Sequence, residues 1–177
     1  MEQKENRILL HACCGICSGY PISLLQEIGY VPVVYFCNPN LDSREEFEKR
    51  LVAQKKICEY FNVELIVEEY NHNEYLEFIK GLEQEPEKGF RCDKCIELRL
   101  KKTYQKALDI GIQMFTTSLT VSPHKNFLKI KTIGENLSTT YQAFDFKKKD
   151  GFFKTNKLSK DLELYRQYYC GCEFSKN

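Results

Sequence analysis

Thiols are the chemistry this chain offers most plainly: it has nine cysteines in 177 residues, and most of them are grouped. Cys13 and Cys14 are adjacent, and Cys17 follows closely. Cys92 and Cys95 form a Cys-x-x-Cys pair, a spacing that turns two sulfurs toward one centre. Cys170 and Cys172 flank Gly171 near the end of the chain. Cys13, Cys14, Cys92 and Cys95 make a four-thiolate set, able to hold a single zinc ion or an iron–sulfur cluster. Adjacent cysteines diverge in direction, which suits the separated irons of a cluster better than one tetrahedral ion. Cys17 reads as a small apolar residue on a first helical turn, as a ligand to a second metal, or as a thiol facing substrate. A Cys170–Cys172 disulfide would close a tight, easily reduced ring, so this pair suits a dithiol that cycles electrons. Cys37 and Cys58 read as core.

The compartment supports that reading of the thiols. Met1 to Arg7 is charged and lacks the long apolar region of a secretory leader, and the apolar runs are strand-sized. The expectation is a cytoplasmic protein with no membrane contact, where clustered cysteines bind metal or cycle electrons rather than staple a fold. The net charge is +1, so no global field selects a partner.

The elements that must position these groups alternate in type. Strand-like runs are expected at Ile8–His11, Val31–Cys37, Glu64–Glu69, Met114–Leu119 and Tyr141–Phe146. Helical patterns fill Ser18–Ile28, a long stretch capped by Asp42 or Ser43 and ending near Phe61, Asn73–Lys80, Cys92–Ile110, part of Pro123–Leu137, and Leu158–Tyr168. This predicts one α/β domain over residues 1–177, a parallel sheet of about five strands with helices on both faces. The final helix and Cys-x-Cys tail, 158–177, should pack on the active site. Ligands of such sheets bind at the carboxyl ends of the strands, where Cys13-Cys14, Asn38-Pro39-Asn40 and Thr120 to His124 fall.

Other polar residues complete the candidate site. Ser122, His124 and Tyr168 are possible proton donors, with His124 the catalytic candidate. His11 reads as a group that hydrogen-bonds near the metal centre. Basic residues cluster at Lys147, Lys148 and Lys149 and around Lys125, Lys129 and Lys131, runs whose default reading is a solvated surface. No GxGxxG follows the first strand, so no dinucleotide fingerprint is present.

Six ordered segments resemble the epoxyqueuosine reductase QueH family: LLHACCGICS (9–18), YFCNPN (35–40), KGLEQEPEKGFRCDKCIELRL (80–100), FTTSLTVSPHKN (115–126), DFKKKDGF (145–152) and LSKDLELYRQYYCGCEFS (158–175). The resemblance implies a Rossmann-like, HUP-type fold. The implied activity is two-electron deoxygenation of epoxyqueuosine in the tRNA anticodon loop to queuosine, with electrons from an unidentified donor. For that substrate Lys125, Lys147, Lys148, Lys149 and Arg166 are the expected phosphate contacts, and aromatic residues of the crevice the expected stack for an unpaired base. It also implies a four-iron, four-sulfur cluster on Cys13, Cys14, Cys92 and Cys95, a redox-active disulfide pair at Cys170 and Cys172, and a second iron near Cys17. Relatives commonly read CCAPC where this chain has Cys13-Cys14-Gly15-Ile16-Cys17, so the turn here lacks the φ restraint of proline. Two other readings stand beside this one. A tRNA sulfur-insertion enzyme of the ATP-pyrophosphatase type would need a Gly/Ser-rich loop where the cysteines stand. A zinc-stabilised RNA-binding module would need only the four thiolates.

Overall fold

The computed structural model describes residues 6–176; the N-terminal reading of Met1 to Arg7 lies largely outside the described residues. Four parallel strands form the sheet: β1 (Arg7–Ala12), β2 (Val31–Phe36), β3 (Glu64–Val67) and β4 (Met114–Thr117), in the order β3-β2-β1-β4. The central strand β1 is apolar on both faces because both are covered. Leu9 points into a core with Val33, Tyr35, Ile96, Leu100 and Phe115, beneath helices α4 (Phe90–Ile110) and α5 (Phe127–Leu137). Ile8 and Leu10 point the other way, into a core with Ile22, Leu25, Val34 and Ile57. That face carries α1 (Gly15–Glu27), α2 (Arg44–Phe61) and α6 (Gly151–Asp161); a short α3 (His72–Phe78) packs on α4.

The sheet has four strands, not five. Tyr141–Phe146 runs beside β4 but makes only an isolated bridge, Phe115 to Tyr141. Its carbonyls are taken by side chains: Thr116 Oγ1 donates to Gln142 O and Thr120 Oγ1 to Phe144 O, both at 2.7 Å. Hydroxyls thus replace the backbone ladder, and β propensity without ladder partners does not make a strand. The last helix also differs from expectation. It spans Gly151–Asp161 rather than Leu158–Tyr168, because Glu163 turns left-handed (φ 53°) and Leu164 N closes back on Ser159 O (2.9 Å).

Local sequence explains the helix starts nearest the site. Ser43 caps α2, its hydroxyl accepting from Glu46 N at 3.1 Å. Helix α1 begins at Gly15, where a Cβ would stand 2.6 Å from the Ala53 carbonyl oxygen of α2. The glycine therefore lets α2 approach the cysteine turn closely. Pro21 interrupts the α1 hydrogen-bond ladder, and Thr155 of α6 fills in. Its hydroxyl donates to Ile16 O (3.0 Å) and accepts from Tyr20 N (3.3 Å), tying α6 to the cysteine-bearing turn.

Helix α6 enters through a tight turn in which Lys149 and Asp150 are both left-handed (φ 55° and 60°). At Gly151 an added Cβ would lie 1.7 Å from Phe146 O and 2.8 Å from the Tyr20 ring. Gly151→Ala is expected to cost about 3 kcal/mol or more by overpacking against backbone that cannot retreat. Urea denaturation of the two proteins measures it.

Candidate functional site

The cysteine turn sits where β1 ends and α1 begins. Cys14 is the extended N-cap residue of α1 (φ −171°). The sulfurs of Cys13, Cys14 and Cys17 lie within 4.8 Å of one another, with Cys13 and Cys14 3.7 Å apart. Among the described residues no other three His, Cys, Asp or Glu ligand atoms draw together this closely. Cys14 is buried, and Gln167 Nε2 donates to its sulfur at 2.9 Å; Cys13 and Cys17 face a cavity of about 480 Å³.

That cavity lies at the carboxyl edge of the sheet. Arg50, Lys88, Arg99, Lys125 and Arg166 line it, against one carboxylate, the exposed Glu87. Ser122, His124, Phe152, Tyr168, Tyr169 and Cys170 complete much of its wall. A much smaller cavity adjoins it, lined by Cys92, Cys95, Cys170 and Cys172 with Asn40 and Tyr75. Arg99, Lys125 and Cys170 line both. Six of the seven grouped thiols thus line two adjoining spaces, Cys13 and Cys17 the first, Cys92, Cys95 and Cys172 the second and Cys170 both, with Cys14 buried behind Cys13 and Cys17.

Electrostatics differ among these sulfurs. The Cys14 and Cys17 thiols donate toward Cys13, and with Arg99 and His11 nearby they hold it well below the usual thiol range despite burial. Cys14, the donor, is pushed up to about 12, and Cys17 is raised as well. Burial raises Cys95 to about 11. One thiolate solvated by neighbouring thiols is a primed ligand set for a soft cation. Cys37 and Cys58 are raised by burial to about 12 and about 11 and lie within the core, so they are inert thiols.

Cys170 and Cys172 are not bonded to each other; both are free thiols. Gly171 between them adopts φ 137°, and the two sulfurs have different partners. Cys170 Sγ accepts from Lys125 Nζ at 3.3 Å, while Cys172 Sγ turns inward to Ser175 Oγ at 3.5 Å. The tail carrying them is firmly sewn down. Arg50 donates to the carbonyls of Cys170 (2.9 Å) and Tyr169 (3.0 Å), Asp42 N to Gly171 O (2.8 Å), and Tyr169 OH to Asp42 Oδ1 (2.6 Å). His72, a residue with no role expected from sequence, bridges Pro39 O and the Glu173 carboxylate, each at 2.8 Å.

The remaining candidates separate by direction. His124, exposed, and Lys125 line the large cavity, as does Arg166, which also holds Asn156 Oδ1 (3.0 Å). Lys148 and Lys149 are exposed on the turn before α6. Lys147 turns inward instead, its ammonium donating to Thr120 O (2.9 Å) and Lys125 O (3.1 Å), so it braces the loop. Sequence reasoning missed Arg99, which lies seven residues after Cys92 and four after Cys95 on one helix face, a spacing that could have revealed it.

His11 is fully buried beneath this site. Cys37 O can only accept, so Nε2 carries the proton toward it (3.0 Å), and Nδ1 accepts from Thr117 Oγ1 (2.9 Å). Burial, with Arg99 nearby, lowers its pKa from 6.5 to about 4. The unfolded chain therefore binds a proton that the fold refuses between about pH 6.5 and 4. Stability contributed by neutral His11 is present above 6.5 and is lost as pH falls through that window, about 3 kcal/mol in full. Urea titrations of the metal-free, reduced protein should show this slope, and His11→Gln should flatten it.

A four-stranded parallel sheet flanked by helices, with a thiol-lined, cation-rich crevice at its carboxyl edge, defines an α/β protein whose site is compatible with metal binding. Comparison with known proteins narrows the class. Residues 8–177 match the family model described as epoxyqueuosine reductase QueH, and the chain belongs to that family. It is 36% identical to the epoxyqueuosine reductase QueH of Streptococcus pyogenes serotype M1, covering 98% of this chain and 72% of that protein. It is 34% identical to the Staphylococcus epidermidis protein of the same name (98% and 78% covered) and 35% identical to that of Thermotoga maritima (95% and 89% covered). No helix of the described residues is long and apolar enough to cross a membrane.

Proposed function

We propose that this chain is an epoxyqueuosine reductase of the bacterial cytoplasm, converting epoxyqueuosine in a tRNA anticodon loop to queuosine. The observation that carries this reading is that six thiols line two adjoining cavities, with a seventh, Cys14, packed against Cys13 and Cys17, in a chain of the QueH family. The chemistry balances simply: the epoxide takes up two electrons and two protons, both C–O bonds break, an alkene forms and water leaves.

The donor set fits an iron–sulfur cluster. Soft thiolates favour iron or zinc, and two buried or partly buried cations, Arg99 and Lys125, stand among them without a carboxylate partner among the described residues. Cys13, Cys14, Cys92 and Cys95 are the residues we assign to a four-iron, four-sulfur cluster, with Cys17 directed to a second iron. When bound, the cluster supplies one-electron redox chemistry that protein side chains lack.

The chain's own residues do the rest. The cavity of about 480 Å³ has room for a modified base, and Tyr168, Tyr169 and Phe152 give it faces for stacking. Arg166 and Lys88 place cations where the flanking phosphates would run, with Lys148 and Lys149 extending the patch, while Lys125 is turned to Cys170. His124 and Cys170 stand on the cavity wall and are the proton carriers we assign. Cys172, held inward, is paired with Cys170 as the reserve of reducing thiols.

Anaerobic incubation of the iron-reconstituted protein with epoxyqueuosine-containing tRNA and dithionite tests the reading. Mass spectrometry of the digested tRNA should show the nucleoside lighter by one oxygen. An unchanged nucleoside with a fully loaded protein would reject the assignment.

A further inference from the structure

Arg99 is among the most deeply buried charged side chains in the molecule, 2% exposed, and it lies between the two thiol-lined cavities. Its Nε donates weakly to a neutral group of its own helix, the Cys95 carbonyl, at 3.5 Å. The other buried arginine of the large cavity, Arg50, has a carboxylate, with Glu46 Oε1 at 2.8 Å. Arg99 has none among the described residues; the ionisable groups within its electrostatic reach are the thiols of Cys95, Cys170 and Cys13, of which Cys13 is the one held low. Lys125 repeats the pattern from the loop before α5, its Nζ on Cys170 Sγ at 3.3 Å. Isolated charges are not left buried without compensation, because desolvation costs several kcal/mol per ion. The compensating charge must come from whatever the thiols carry.

We propose that Arg99 and Lys125 are the built-in counter-charges of the thiol centre, placed to raise its affinity for an electron rather than to brace the fold. The inference rests on the cluster reading given above. Reduction adds a negative charge to a site of low dielectric, where a nearby cation stabilises the reduced form far more than in water. Both residues act through the centre and are positioning residues. Arg99 shares a helix face with Cys92 and Cys95, whereas Lys125 reaches the thiols from the loop before α5.

The test is anaerobic redox titration of reconstituted protein, following the visible absorption, after iron per chain has been measured. Arg99→Met and Lys125→Met should each disfavour one-electron uptake by about tenfold, a midpoint 59 mV more negative. Arg99→Lys, which keeps the charge and changes the shape, should stay near the parent value. Unchanged midpoints in both methionine variants at full iron content would overturn the proposal. So would an Arg99→Lys shift equal to that of Arg99→Met, since shape alone would then explain it. If Arg99→Met does not fold, the Lys125→Met titration decides. A parent protein that takes up no iron would reject the cluster reading and this inference with it, and the iron assay separates that failure from the others.

Discussion

Cys14→Ser and Cys95→Ser proteins are each expected to lose deoxygenation activity by more than about a thousandfold, over ~4 kcal/mol of transition-state stabilisation. The two residues come from the two separate thiol groups, one on the α1 turn and one on α4. Serine is nearly isosteric with cysteine, so the fold should survive. At Cys14 the Gln167 amide can still donate to the new oxygen, and the α1 cap conformation is unchanged in its demands. What serine cannot do is offer a soft, readily ionised donor. Loss in both variants would mean that both groups serve one centre. Cys58→Ala is the control: that thiol is buried at the α1–α2 side, away from either cavity, and its loss should leave turnover intact. Activity assays with tRNA, paired with iron analysis, check all three. A Cys95→Ser protein turning over within tenfold of the parent would reduce the site to the Cys13, Cys14 and Cys17 group.

Why the thiols could be read in advance, and much of their setting could not, follows from the range of the interactions. The β1 run Ile8–Ala12 is apolar on both faces apart from His11, which announces a covered parallel strand, and the turn after it had to hold Cys13 and Cys14. The Cys-x-x-Cys pair likewise announced its own helix start. The Tyr141–Phe146 segment has good strand composition, but its fate depended on Thr116 and Thr120, some 25 residues earlier, offering hydroxyls to its carbonyls. No local pattern encodes that. Lys147 could not be told from Lys148 and Lys149 in a basic run, because only the fold shows that one ammonium reaches Thr120 O while the others face solvent. Arg99 was within reach of sequence reasoning, through its spacing from Cys95; its missing carboxylate partner was not.

Arg50→Met is the substitution expected to damage the architecture most, costing about 3–5 kcal/mol of stability, the range for removing one partner of a buried ion pair. Arg50 and Glu46 are both almost fully buried, and Nε sits 2.8 Å from Oε1 one helical turn away. With Arg50 gone, Glu46 keeps only the Tyr165 hydroxyl (2.9 Å) to balance a buried carboxylate. The two carbonyls that Arg50 now holds, Tyr169 and Cys170, are those that fasten the tail beside the large cavity. The same change should therefore loosen the Cys170–Cys172 segment, with its remaining ties at Asp42 and His72. Urea denaturation measures the stability, and limited proteolysis followed by mass spectrometry measures cutting after residue 162. The double variant Glu46→Leu/Arg50→Met separates the two effects. Removing the orphaned carboxylate should restore most of the stability, while the tail carbonyls stay unheld, so rapid tail cleavage and reduced turnover should persist. A double variant with a parent-like tail would show that the strap is fastened elsewhere, and a single variant within 1 kcal/mol of the parent would show that Glu46 had found water.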